Sequence, residues 1–269
     1  MSSEQAAVSD TTLTGTAQPG RPVALVTGVG RLVGIGAAIA TRLACDGWDI
    51  GTSYWAPYDE RMPWGRAPQD PGLIADGLRA AGARTAAIPA DLADPTSPTA
   101  LFDAAEAALG PVTALVLCHC ESVDSALLDT TVASFDLHMT VNARASWLLI
   151  AEHARRYRAE PGAGRIVALT SDHTVGNLPY GASKGALDRI VLAAARELTA
   201  QRITANVVNP GPVDTGWMTA AQLADAALAS PRGRVGRPAD TAALVSFLCS
   251  PDGEWVNGQL LYSDGGLHA

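Results

Sequence analysis

A short apolar run, Pro22-Val23-Ala24-Leu25-Val26-Thr27, leads directly into Gly28-Val29-Gly30-Arg31-Leu32-Val33-Gly34-Ile35-Gly36 and then into the helical stretch Ala37–Ala44. An apolar run bounded by Pro and Gly reads as a strand buried on both faces, as in a parallel sheet. Glycines between such a strand and a helix let the backbone approach a pyrophosphate, which then sits at the positive helix end. Ordinary turns use glycine too, so it is the position between a first strand and a first helix that points to a dinucleotide.

The remainder of the chain keeps the strand–helix alternation. Further strands are expected at Trp48–Ser53, Arg84–Pro89, Val112–Leu117, Gly164–Ser171, Ile203–Gly211 and Val256–Gly266, with helices near Asp70–Ala81, Ser97–Leu109, Phe135–Tyr157 and Tyr180–Thr199. With 269 residues, nearly half hydrophobic, the chain suits one α/β domain over residues 21–269, preceded by a disordered tail at 1–20. No internal repeat or second domain is visible. A net charge of -8 argues against a nucleic-acid or anionic-membrane surface. The chain has no apolar run of the roughly 20 residues that span a bilayer and no basic, apolar leader. Its four scattered cysteines match no zinc spacing. Cys118-His119-Cys120 alternates across a strand end, so its side chains do not converge on one ion, and no metal is expected. The expectation is a soluble cytoplasmic protein.

The stretch richest in chemistry is Tyr180-Gly181-Ala182-Ser183-Lys184. On a helix Tyr180 and Lys184 share one face. A phenol of pKa near 10 exchanges protons poorly at neutral pH unless a neighbour favours its anion, and an ammonium does so by charge. Upstream, Ser171 ends a buried strand. Downstream, a strand runs into Asn209-Pro210-Gly211-Pro212-Val213-Asp214-Thr215.

In this order of strand, Ser, Tyr-x-x-x-Lys helix, strand and Pro-Gly turn, the chain resembles the short-chain dehydrogenases/reductases from about Arg21 onward, in particular 3-oxoacyl-carrier-protein-reductase-like members. The resemblance implies a single doubly wound Rossmann-type domain, a parallel seven-stranded sheet with helices on both faces. It implies an oxidoreductase interconverting a carbonyl and an alcohol on a small organic or biosynthetic substrate with NAD(P)(H). Tyr180 would be the acid/base, Ser171 would orient the carbonyl, Lys184 would hold the nicotinamide ribose, and Asn142 would sustain proton supply through a distorted helix. Gly28, Gly34, Ile35 and Gly36 would meet the pyrophosphate, Asp91 and Leu92 the adenine. Cys118, Pro210, Gly211, Val213 and Thr215 would meet the nicotinamide half. Related proteins pair their two long helices, so a homotetramer or homodimer is implied.

Four departures bear on the site. The family's Thr-Gly-x-x-x-Gly-x-Gly is here lengthened by two residues, with Gly28 closing the strand and Gly34 and Gly36 opening the helix. The second strand ends at Tyr54, where an NAD-selective site would have a carboxylate, while Arg31, Arg61 and Arg66 are within loop reach. Each arginine could equally be solvated; together they tilt the expectation to NADP(H) over NAD(H). The insertion Pro57–Pro71 is expected to fold over the adenosine end. The usual Asn-Asn-Ala-Gly after the fourth strand reads Cys118-His119-Cys120-Glu121, so either neutral substitutes brace the sheet or the chemistry has drifted. Tyr180 follows Ser171 by nine positions, where the family pattern sets about thirteen. The trimmed loop makes Asp172 and His173 candidates for the substrate wall with His119, Cys120 and Trp217, under a mobile helical lid at Gly216–Ser230. A second reading, motivated by these departures, is a non-catalytic dinucleotide sensor or partner protein. An extended sugar epimerase or dehydratase would need a substrate domain for which this chain has no room.

Overall fold

The computed structural model describes residues 20–268; most of the expected tail lies outside the described residues. Seven parallel strands form one sheet in the order β3-β2-β1-β4-β5-β6-β7. They are β1 Val23–Thr27, β2 Asp49–Tyr54, β3 Thr85–Pro89, β4 Val112–Leu117, β5 Arg165–Leu169, β6 Thr204–Asn209 and β7 Leu260–Tyr262. The helices are α1 Ile35–Cys45, α2 Ala56–Glu60, α3 Asp70–Ala80, α4 Ser97–Leu109, α5 Val132–His138, α6 Ala145–Arg156, α7 Leu178–Glu197, α8 Ala220–Ala229 and α9 Pro238–Cys249. The expected doubly wound architecture is thus present.

Alternation along the strands divides the core into two layers. Val23 and Leu25 of β1, Leu115 and Leu117 of β4, and Ile166 and Ala168 of β5 face α4, α6 and α7 through Phe102, Leu149 and Leu187. Ala24 and Val26, Ala114 and Val116, and Val167 and Leu169 face α1, α3 and α9 through Ile39, Leu43, Leu78 and Val245. These twelve buried apolar positions explain why β1, β4 and β5 read as hydrophobic runs. Chain order reverses between β1 and β4, and this switch point opens a crevice at the strand carboxyl ends.

The long helix expected over Phe135–Tyr157 is α5 and α6 joined by a π-helical turn, Met139–Arg144. Such a turn inside a helix is rare and leaves its hydrogen bonding locally irregular. Asn142 sits in it. The lid segment contains α8, whose start carries a Thr219–Gln222 capping box and whose residues are all at least partly exposed.

Candidate active site

A cleft of about 850 Å³ runs along the carboxyl edge of the sheet, from Tyr54 and Asp91 at one end to Ser171, Tyr180 and the lid at the other. All the residues expected at a dinucleotide or substrate site line it, apart from Asn142, which lies just beneath.

The glycine loop is built for close approach. Gly28 has φ +73, and a Cβ there would stand 2.6 Å from the backbone nitrogen of His119. A Cβ on Gly36 would stand 2.8 Å from the Gly28 carbonyl oxygen, so the first turn of α1 can close on the loop only as glycine. Gly34 is the N-cap residue of α1, and no side chain caps its free N–H groups, which suits an anion. The two additional residues, Leu32 and Val33, bulge outward and are about half exposed, with Leu32 N–H donating to Asp70 Oδ2 at 2.9 Å. The glycine loop therefore fits a pyrophosphate despite its length.

At the adenosine end Asp91 lines the cleft, one carboxylate oxygen accepting from Ala93 N–H at 2.9 Å. Leu92 is buried in the core layer under β4. Tyr54 contributes no acceptor of its own, but Asp59 folds back beside it. A Cβ on Gly30 would lie 3.1 Å from Asp59 Oδ2 and 3.6 Å from Tyr54 Cβ. Asp59 Oδ1 accepts from the Trp64 indole N–H at 2.9 Å, and burial holds its carboxyl above the usual range while Trp64 and Arg31 work against that rise. Arg31 is half-buried, its guanidinium 4.5 Å from the Trp64 ring centroid.

The insertion reaches farther than expected. It lines the Tyr54 end of the cleft through Asp59 and Trp64 and also crosses to the end of β4, where the Tyr58 hydroxyl donates to the Ser122 carbonyl at 3.4 Å and Arg61 pairs with the buried carboxylate of Glu121. Arg61 is thereby engaged at Glu121, and Arg66 pairs with Glu60 at 2.8 Å. Neither lines the cleft. Trp217, expected at the substrate wall, stacks on Trp64 with centroids 5.5 Å apart.

The Cys118-His119-Cys120-Glu121 departure resolves in favour of a substitute brace. His119 is buried; its Nδ1 lies 2.7 Å from Thr27 Oγ1 and its Nε2 3.1 Å from the Val141 carbonyl oxygen. A carbonyl only accepts, so Nε2 carries the proton and Nδ1 accepts from the threonine. Burial and the nearby Lys184 charge push its pKa down to about 3, so the ring is neutral. His119 thus ties β1 to the π-turn, a task that leaves neither nitrogen for substrate. Asn142 completes the brace: Oδ1 accepts from Glu121 N–H at 2.7 Å, and Nδ2 donates to the Glu121 carbonyl at 2.9 Å and to Ser183 Oγ at 2.8 Å. Cys118 N–H donates to Thr27 Oγ1 at 3.1 Å. Cys120 lies near Tyr180, and burial holds its thiol up in the neutral form.

At the other end of the cleft Ser171 and Tyr180 line the same wall, and the Ser171 side chain favours the Tyr180 phenolate. Lys184 Nζ donates to the Leu169 carbonyl at 2.9 Å and stands 5.6 Å from the Tyr180 ring centroid. The expectation that Lys184 lowers the Tyr180 pKa needs correction here. Burial dominates and raises the phenol, with Ser171 opposing it, while burial also lowers Lys184. The phenol is consequently held protonated, as a proton donor must be.

The trimmed loop is pinned from several sides. His173 N–H donates to Ser171 Oγ at 3.2 Å, and Asn177 Nδ2 donates to Asp124 at 2.6 Å and Ser122 at 3.0 Å. The His173 ring faces the Val175 carbonyl at 2.8 Å, a local contact within the exposed loop. Asp172 pairs with His268 of the C-terminal tail. Past β6, Val213 bridges to Gly236, and Gly211 has φ +62 with a Cβ position 2.6 Å from Asp264 Cβ. Pro210, Gly211, Val213 and Thr215 all border the cleft.

Sequence reasoning did not single out Tyr58, Trp64, Glu121, Asn177 or His268. The tryptophan and tyrosine inside an irregular, polar insertion were the available signal for the first two, since large aromatics in a loop need something to cover them.

Comparison with known proteins agrees with this geometry. The family profile described as enoyl-(acyl carrier protein) reductase matches residues 28–268. An Arabidopsis thaliana protein named NADPH-dependent aldehyde reductase-like protein, chloroplastic, is 35% identical over 91% of this chain and 93% of its own length. A short-chain type dehydrogenase/reductase of Picea abies is 34% identical over 92% of each chain. The crystal structure of a blue fluorescent protein from a metagenomic library in complex with NADPH superposes with a TM-score of 0.83 at 35% identity, covering 93% of this chain and 99% of that one. Sheet order, glycine loop, the Ser171–Tyr180–Lys184 group and these matches along nearly the whole length lead to one assignment: the chain belongs to the short-chain dehydrogenase/reductase family.

Proposed function

We propose that Tyr180 is the general acid/base of an NAD(P)(H)-dependent oxidoreductase that interconverts a carbonyl and an alcohol on a small organic substrate. The observation that carries this reading is the grouping of Ser171 and Tyr180, with Lys184 Nζ 5.6 Å from the Tyr180 ring centroid, at one end of a cleft whose other end is a pyrophosphate-fitting glycine loop. When bound, the nicotinamide cofactor supplies or accepts the hydride. In the reducing direction Ser171 donates a hydrogen bond that fixes the carbonyl oxygen, and the protonated Tyr180 delivers a proton to it as negative charge develops. Lys184, held by the Leu169 carbonyl, presents its remaining N–H bonds toward the ribose side of the cleft. Asn142 and His119 act beneath, keeping the end of β4 rigid.

NADP(H) is favoured over NAD(H). This is supported by the NADPH in the metagenomic neighbour, by the name of the Arabidopsis relative, and by Arg31 fixed over Trp64 beside the loop. Asp91 and Leu92 are assigned to the adenine, and Cys118, Pro210, Gly211, Val213 and Thr215 to the nicotinamide half. Cys120, Asp172 and His173 remain assigned to the carbonyl side. A homotetramer or homodimer is proposed through α5 and α6, where Val132, Phe135 and Trp147 are exposed; α7 presents no large exposed apolar side chain. Among the described residues no helix is long and apolar enough to cross a membrane, and the four cysteines are free, which supports a small-molecule enzyme of the cytoplasm.

The test is NADPH oxidation with a panel of ketones, aldehydes and quinones. Turnover that disappears in Tyr180→Phe supports the reading; stoichiometric NADPH binding with no turnover on any of them supports the sensor reading instead.

A further inference from the structure

His268 stands between two carboxylates from different parts of the chain. Its Nδ1 lies 2.6 Å from Asp264 Oδ2, and its Nε2 pairs with Asp172 Oδ2. Ionised carboxylates only accept hydrogen bonds, so both contacts are made together only when both ring nitrogens carry protons. The ring also packs on Tyr262 with centroids 4.9 Å apart.

The two carboxylates lead to different halves of the site. Asp172 follows Ser171 directly, on the trimmed loop whose His173 N–H donates to Ser171 Oγ. Asp264 is nearly buried, accepts from Gly266 N–H at 2.9 Å and His268 N–H at 3.1 Å, and packs against Gly211 in the turn after β6. Ser263 N–H anchors the same tail to the Asn209 carbonyl at 2.8 Å.

We propose that His268 is a positioning residue for the carbonyl end of the site, its imidazolium clamping the Ser171 loop through Asp172 to the tail and the cofactor turn through Asp264. This deepens, and rests on, the reading of Ser171 and Tyr180 as the groups that act on a carbonyl. The charged and titratable groups facing the ring are Asp172 from the loop, Asp264 and Tyr262 from the tail, with Arg232, after α8, against Gly265. Both carboxylates hold the imidazole pKa above its ordinary value, so the clamp is present at and below neutral pH and is lost as pH rises through the raised value. The remaining N–H then stays with the better-shielded Asp264, and Asp172 is released.

The experiment is amide hydrogen exchange of residues 172–178 in the full chain, corrected for intrinsic rates, at roughly pH 6 and roughly pH 9, either side of a raised imidazole pKa. It is paired with pH profiles of kcat/KM on the ketone panel and with NADPH Kd. His268→Gln should lower protection of the loop about fivefold at the acidic pH and kcat/KM about tenfold, with NADPH Kd within about twofold of wild type, the effect expected of a lost charge-assisted contact. Wild type should lose that protection at the alkaline pH, and His268→Lys, which keeps a cation there, should retain it at both. Unchanged protection in His268→Gln, or an alkaline loss that persists in His268→Lys, overturns the clamp. Absence of turnover in wild type would instead overturn the reductase reading, and the exchange data would still decide whether the clamp exists.

Discussion

The indole rings of Trp64 and Trp217 stack face to face, 5.5 Å apart and within 5° of parallel, although one belongs to the insertion after β2 and the other to the lid after β6. Arg31 of the glycine loop also lies over the Trp64 ring, 4.5 Å from its centroid. Three segments that border the dinucleotide cleft on different sides are thereby closed into one column.

Trp217→Ala removes the stack and frees the lid. Aromatic stacking and the adjoining cation–π contact are together worth roughly 1–2 kcal/mol, so NADPH should dissociate about five- to thirtyfold faster. Stopped-flow release followed by nicotinamide emission measures this; an unchanged off-rate would show the column to be irrelevant to cofactor retention.

Tyr180→Phe keeps the ring and removes the proton donor. Turnover should fall by about 10²–10⁴-fold with NADPH affinity almost unchanged, whereas Lys184→Ala should damage both. More than about a tenth of wild-type turnover in the phenylalanine variant would be incompatible with acid catalysis by this phenol.

Arg31 and Asp59 should act in opposite directions on cofactor choice. A 2′-phosphate needs donors and is repelled by a carboxylate, while a 2′-hydroxyl welcomes one. Arg31→Ala should narrow the NADPH:NADH affinity ratio by about ten- to a hundredfold, the effect of losing a charge-assisted contact of roughly 1.5–3 kcal/mol. Asp59→Asn should widen it. Dissociation constants for both cofactors in both variants test the pair, and tighter binding of NADH by the wild type would contradict the assignment.

Acid stability offers a separate check. His153 is buried between Phe102 and Tyr157 with neither ring nitrogen hydrogen-bonded, and burial pushes its pKa down to about 4. A folded pKa below the unfolded value means that the unfolded chain binds more protons as pH falls. The neutral-ring contribution is therefore complete above about pH 6.5 and is lost on the way down, by on the order of 3 kcal/mol at the folded pKa. His153→Leu should raise stability by about 1–2 kcal/mol at neutral pH, because it removes a buried polar ring without partners. It should also flatten the acid limb of urea midpoints against pH. His119, depressed to about 3 by burial and Lys184, adds a second such limb. His119→Ala should cost about 1–3 kcal/mol, since it removes the ring's bonds to the Val141 carbonyl and to Thr27 and leaves a void between them.

The strands were legible because apolar runs buried on two faces need no partner information to be recognised; β4 runs over the predicted residues, and β1 and β5 differ only at their ends. Ser171, Tyr180 and Lys184 were legible because a strand end and helical spacing place them, and Asn142 through the family resemblance. The insertion was not. Its composition marks it as irregular, but that Tyr58 reaches Ser122 while Trp64 reaches Trp217 depends on contacts across many intervening residues. His119 shows a different limit. A histidine at a strand end looks like a substrate ligand until Thr27 and the Val141 carbonyl are seen to take both nitrogens. The rise of the Tyr180 pKa was not legible because burial, its largest cause, is invisible in spacing.

Gly181, the residue after Tyr180, has no room for a side chain: a Cβ would lie 2.0 Å from the His173 carbonyl oxygen. The shortened loop folds down onto the first turn of α7 at this point, and Gly181 N–H bonds back to the Asn177 carbonyl at 3.1 Å. Loop length and the residue following Tyr180 are therefore coupled traits. A longer loop grafted from a relative would lift His173 away and leave the glycine as a flexible spot in a helix start. A bulkier residue introduced alone would push the short loop, and Ser171 with it, out of register. Efforts to retarget this enzyme to other carbonyls would have to change both together, and libraries that vary the loop while holding position 181 fixed would sample mostly the compact pocket it already has.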